Sequence, residues 1–159
     1  MDGGFYWPFK YYRGLSKRKQ TLRKKEAEKR SKMSWKSQKA YTPFKTDKDV
    51  KTRRSGYTQE WKKRYPQSSG ISSAAKITGV PKSVLAKSYN RGKAAWRTGH
   101  RPGASAEQWG YARAYSFLLC GKTHYTTDAD LVRKAKKTAK ARNWFKKTCK
   151  SSPVKYNAV

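Results

Sequence analysis

The sequence predicts a mainly α protein: a small C-terminal unit of three or four helices behind a long basic N-terminal arm, partly helical and partly extended. Three observations carry this. Apolar residues recur at three- and four-residue spacing only beyond about residue 71. Residues 10–64 hold 21 basic and 5 acidic side chains, about half of a net charge of +31 on 159 residues. Leu, Ile, Val and Phe make up only about 12% of the chain, yet six Trp and eleven Tyr are present, more aromatic surface than disordered chains carry. A chain so charged repels itself and is expected to order against a partner.

Residues 1–14 read as an aromatic head, with Phe5, Tyr6, Trp7, Phe9, Tyr11 and Tyr12 around Pro8. Such a cluster seeks a pocket on a partner or folds back on the chain's own core, and the small size of that core favours the partner. Residues 15–40 read as one basic helix of strong formers without Gly or Pro; Leu15, Leu22, Met33 and Trp35 are too sparse to give it a core face. Residues 41–70 contain Pro43, Gly56, Pro66 and Gly70 and read as an extended basic strap, with Tyr41, Phe44, Tyr57, Trp61 and Tyr65 as separate anchors.

The helical domain is placed at 71–146. A short helix from Ser72 to Thr78 stops at Gly79. Pro81 opens the next, whose buried face carries Val84, Leu85, Ser88, Tyr89, Gly92, Ala95 and Trp96 before Gly99 ends it. The turn His100-Arg101-Pro102-Gly103 needs Pro102 for a fixed φ and Gly103 for φ > 0. Ser105 and Gln108 make a capping box for a helix from Ala106 to Cys120 that is apolar nearly all round and therefore central. Thr127 or Asp128 caps a last helix through Leu131, Val132, Ala135 and Ala139 toward Trp144 and Phe145. Trp96 and Trp109 are expected in the core, and residues 147–159 form a basic tail.

Arg91-Gly92, Trp96, Gly99-His100-Arg101-Pro102-Gly103, Gln108-Trp109, Ala112-Arg113, Ser116-Phe117, Gly121-Lys122-Thr123 and Asp128-Ala129-Asp130-Leu131 together form a long pattern. It resembles a small uncharacterised domain of virion-associated proteins from tailed bacteriophages and large double-stranded DNA viruses. The resemblance covers about a third of the chain and leaves the arm at 1–70 outside. It implies a viral setting and a structural role, with no enzymatic activity to carry over. By itself the motif makes sense as a helix–loop–helix lock, in which Gly92 allows close approach and Arg91 or Arg113 donates to loop carbonyls.

The sequence assigns no catalytic residue, no metal and no cofactor. Cys120, His124, Cys149 and His100 lack the paired spacing of zinc sites, two cysteines make no disulfide framework, and Cys120 reads as a small core residue. Asp128 and Asp130 are explained as first-turn residues of a helix, and Gly121-Lys122-Thr123 lacks the first glycine of a phosphate loop. No apolar run is long enough to cross a membrane, and the N-terminus lacks the pattern of a secretory signal.

The resulting expectation is a minor capsid (cement) protein on the inner face of a large viral shell. There its arm would tie the capsomers of the major capsid protein together and touch other minor capsid proteins. Phe5, Trp7, Phe9, Tyr41, Phe44, Tyr57 and Trp61 would be protein-facing anchors. Lys17, Arg18, Lys19, Arg23, Lys24, Lys25, Lys62, Lys63 and Arg64 would bind nucleic acid or an anionic surface, with viral DNA or a membrane face as further partners and no small-molecule substrate. The alternative is a genome-packaging protein that binds nucleic acid, or an RNA-binding protein of ribosomal type.

Overall fold

A computed structural model describes residues 7–151, and these are mainly helical, with no strand among them. The helices are α1 (Lys17–Ser31), α2 (Gly56–Arg64), α3 (Gly70–Thr78), α4 (Lys82–Thr98), α5 (Ala106–Leu118), α6 (Lys122–Tyr125), α7 (Ala129–Ala135) and α8 (Ala139–Ser151), with 3-10 turns at Phe9–Tyr11, Gln38–Tyr41 and Lys45–Asp47. No helix among the described residues is long and apolar enough to cross a membrane. The chain divides into two compact units that differ from the expected boundaries. Among the described residues, one joins those up to 53 to 93–109, and the other joins 54–92 to those from 110 onward.

The first unit corrects the reading of residues 15–40 as one helix without a core face. α1 stops at Ser31 rather than near residue 40, and it does have an inner face. That face is Arg23, Ala27 and Arg30, at i, i+4 and i+7, all buried. The two arginines stand where a globular helix has leucines, so hydropathy alone hides the stripe. Both guanidinium groups lie against the Phe44 ring, at 5.1 Å for Arg23 and 4.5 Å for Arg30. Arg30 also donates to the carbonyls of Ala40, Thr42 and Pro43 and to Glu26, which turns the chain back beyond Ser31.

Around Phe44 the apolar core is small: Ala27, Trp96 and Ala106, with Tyr41 and Trp109 packed beside it. The aromatic head folds onto this same unit, with the Tyr11 ring 5.6 Å from that of Trp109 and Trp7 stacked on Tyr12 at 4.8 Å. Gly103 takes φ +86°, as the turn requires, and a Cβ there would stand 2.1 Å from the Val50 carbonyl oxygen. Ser105 and Gln108 form the expected capping box at α5.

The second unit holds the larger core, including Trp61, Leu85, Tyr115, Phe117, Leu118, Leu131 and Phe145. The strap expected over 41–70 is helical at its end. Ser55 caps α2 by accepting from the Tyr57 N–H, so Gly56 opens a helix instead of breaking one. Trp61 is fully buried, stacked on Tyr115 at 5.2 Å and 10°, with Tyr65 and Trp144 at 4.7 and 6.0 Å. A close helix approach falls at Gly110, where a Cβ would meet the Tyr89 ring at 2.5 Å. Gly79 ends α3 in a left-handed conformation, as expected. The last helix divides in two, because the Thr138 hydroxyl donates to the Gly79 carbonyl and accepts from the Ala141 N–H at the start of α8.

Candidate polyanion-binding surface

Arginine and lysine are sorted by position. Every described lysine except Lys93 is exposed, whereas six of the thirteen described arginines, Arg23, Arg30, Arg64, Arg91, Arg97 and Arg113, are buried or half-buried. The physical reason is the guanidinium: planar, weakly hydrated and forked, it can satisfy several oxygens at once, while an ammonium is strongly hydrated and stays in water.

In the first unit Arg23, fully buried on α1, donates from Nε to the Tyr11 carbonyl at 2.8 Å and from Nη2 to the His100 carbonyl at 2.6 Å. Its Nη1 donates to Thr46 Oγ1 at 2.7 Å and to Asp47 Oδ1 at 2.8 Å. Asp47 in turn accepts from the Phe44 and Gly103 N–H groups and meets His100 Nε2 at 2.8 Å. His100, also fully buried, stacks on Trp96 at 4.2 Å, and its Nδ1 faces the Trp96 carbonyl at 2.8 Å. Arg23 therefore ties the head, the 3-10 turn and the Gly99–Gly103 loop to a single group. This corrects its assignment as a surface cation.

In the second unit Asp128 is fully buried and accepts from Ser88 Oγ at 2.7 Å, Arg91 Nη1 at 3.1 Å and Arg113 Nη2 at 2.9 Å. Asp130 takes both Nη atoms of Arg91 at 2.9 and 2.8 Å. The Arg91 hydrogen bonds hold the Asp130 carboxyl well below the usual range, and Asp130 raises the Arg91 pKa in return. Asp128 makes no side-chain cap to α7, so the expected cap is instead an arginine clamp. Arg91 does donate to a loop carbonyl, that of Thr127, at 3.1 Å.

The remaining predicted cations fall on two exposed faces. Lys17, Arg18, Lys19, Lys24 and Lys25 are exposed on α1, and Lys62 and Lys63 on α2. Arg64, beside them, is half-buried and paired with Glu60 at 2.8 Å. The predicted anchors divide. Phe9 is exposed at 62%, while Phe44 and Trp61 are core residues, which removes them from any partner surface. Trp7 and Tyr41 are half-buried in the first unit, as is Tyr57 in the second, its hydroxyl accepting from the Lys122 N–H. Phe5 lies outside the described residues. Trp35, exposed at 66% beside Lys36 at 5.3 Å, is a further surface aromatic.

Cys120 and Cys149 are joined as a disulfide, against the expectation of two separate thiols. They stand 29 positions apart, and the turn after α5 meets α8 there with the Cα atoms 5.2 Å apart. His124 lies beside them, with Nε2 3.8 Å from Cys149 Sγ and Nδ1 3.0 Å from the Phe117 carbonyl.

Burial pushes the His100 pKa down, against the opposing pull of Asp47. Burial works against the Asp47 charge too, but the hydrogen bond and charge of His100, the Gly103 N–H and Arg23 together bring it to about 2. Both shifts make the unfolded chain bind protons first: His100 below its ordinary pKa of about 6.5, Asp47 between about 3.9 and its folded value. Stability is therefore expected to fall as pH drops below about 6.5, and again below about 4. Urea midpoints measured from pH 8 to 3 check this, and His100→Gln should remove the upper step and shrink the lower one, because His100 helps to hold Asp47 ionised.

These features define the class: a mainly helical, strongly basic protein in which arginines take up Glu26, Asp47, Glu60, Asp128 and Asp130, leaving the lysines outside. The chain belongs to a family of unknown function, DUF5824, whose model matches residues 8–134. That span includes most of the arm, which the sequence resemblance had left outside, so arm and helical domain form one family unit. No curated protein and no solved structure matches.

Proposed function

We propose that the chain is a non-enzymatic structural component of a virion: a minor capsid protein that cements acidic neighbours on the inner side of a large viral shell. The observation that carries this is the sorting of charge. Five of the nine carboxylates are taken up by arginines, so the exposed lysines of α1 and α2 leave a surface that an acidic partner must neutralise. The viral setting rests on the motif between Arg91 and Leu131. The grip is one of charge, since Phe44 and Trp61 are unavailable as anchors, with Phe9 and Trp35 as exposed aromatic contacts.

Cross-linking mass spectrometry on intact particles, with and without nuclease and at two salt concentrations, tests the reading. Links from α1 to the major shell protein that survive nuclease and moderate salt are expected. Loss of the chain when the genome is digested would assign it to nucleic acid instead.

The same exposed cations favour that second reading, genome binding through phosphate contacts. Changing Lys17, Arg18, Lys19, Lys24 and Lys25 together to Gln is expected to leave the fold intact, because all five are exposed. If the surface binds duplex DNA, the slope of log affinity against log salt should fall by about 0.9 for each phosphate contact removed. An unchanged slope would take α1 out of any nucleic-acid surface.

A further inference from the structure

We propose that Cys120, Cys149 and His124 form a redox-gated zinc site, in which the reduced protein holds one Zn2+ and the disulfide form holds none. The three side chains come from the turn after α5, from α8 and from the short α6, and their ligand atoms lie within 4.8 Å of one another. The two sulfurs are joined to each other.

The histidine is set up as a ligand. Its Nδ1 is 3.0 Å from the Phe117 carbonyl, which can only accept, so the ring proton belongs on Nδ1 and the Nε2 lone pair points to the sulfurs. A hydrogen bond from the far ring nitrogen is what commonly orients a zinc-bound imidazole. The Phe145 ring at 4.9 Å holds the imidazole in place from its edge. Around one tetrahedral zinc, with Zn–S about 2.3 Å and Zn–N about 2.0–2.1 Å, neighbouring ligand atoms stand about 3.6–3.8 Å apart. Cys149 Sγ and His124 Nε2 are 3.8 Å apart. Two thiolates and an imidazole are a donor set that favours zinc over magnesium or calcium, and the fourth position is left to water.

Opening the site requires two equivalents of a small-molecule thiol. The Cys120–Cys149 bond breaks, both sulfurs become thiols, and the two reductant sulfurs join as a disulfide. Zn2+ then displaces the two thiol protons to solvent. The same two sulfurs serve either the bond or the metal, so the two states exclude each other.

The test uses the full chain and Co2+ as a spectroscopic stand-in for zinc. After anaerobic reduction and removal of the reductant, Co2+ should bind at one equivalent, with tetrahedral d–d bands and a thiolate charge-transfer band, and Zn2+ should displace it. The oxidised protein should show neither band. His124→Ala should weaken binding by more than the about 10–100-fold that losing a mere orienting partner costs. Should His124→Ala lose its helical signal, Cys149→Ser, at a half-exposed position, serves for the same comparison. Absence of the bands in the reduced protein, or binding unchanged in the variant that stays folded, would overturn the proposal.

Discussion

Arg23→Met is expected to lower the stability of the protein by about 3–5 kcal/mol, the range for removing one partner of a buried ion pair. The side chain is fully buried and joins four oxygens from three parts of the chain: the Tyr11 and His100 carbonyls, Thr46 Oγ1 and Asp47 Oδ1. Methionine fills much of the same space but donates to none of them, leaving two buried carbonyls and a carboxylate short of a donor. Arg23→Lys should recover only part of the loss, since an ammonium lacks the planar fork. Lys24→Met, one residue along and exposed, should change stability by no more than about 0.5 kcal/mol. Urea unfolding followed by circular dichroism measures all three. Equal midpoints for Arg23→Met and Lys24→Met would return Arg23 to the surface role its sequence context suggests.

Trp61→Ala is expected to cost about 3–5 kcal/mol, the range for emptying a buried aromatic site. The indole is stacked on Tyr115, flanked by Tyr65 and Trp144, and donates from Nε1 to Ser68 Oγ at 3.2 Å. Phenylalanine keeps the stacking but loses the Nε1 donor, so Trp61→Phe should fall between alanine and the parent. A partner-facing anchor would behave differently: its replacement would leave the urea midpoint in place and reduce only association. Phe9→Ala, at an exposed site, is the matched case of that kind.

The helices of residues 70–118 were legible because their signals are local. Apolar spacing marked α4, Gly79 and Gly99 marked helix ends, and Ser105 with Gln108 marked the start of α5. The arm was not legible in the same way. α1 reads as polar all round, since no hydropathy pattern distinguishes Arg23 and Arg30 from the exposed Lys24 and Lys25. One signal was present: an arginine–alanine–arginine spacing at 23, 27 and 30 on a lysine-rich helix. Arginine is the cation that tolerates burial, and alanine admits close packing. The sorting extends to both units, where the internal arginines meet carboxylates and carbonyls while every described lysine but Lys93 is exposed.

The candidate surface was partly legible. Lys17, Arg18, Lys19, Lys24, Lys25, Lys62 and Lys63 lie exposed where a basic run suggests, whereas Phe44 and Trp61 were read as anchors only because each is isolated in sequence. Their packing neighbours, Trp96 for one and Tyr115 for the other, lie more than fifty residues away. The Cys120–His124–Cys149 cluster was declined on spacing for the same reason, since Cys149 reaches it only by the packing of α8.

The sequence by itself determined the helical class, the excess of positive charge and the turn at Gly103, because charge is additive and these local preferences act over a few residues. Only the tertiary structure decided which cations are internal, which aromatics are core and which sulfurs meet. Those outcomes depend on which distant segments share a buried volume, where an unpaired charge costs several kcal/mol and an arginine with four partners does not.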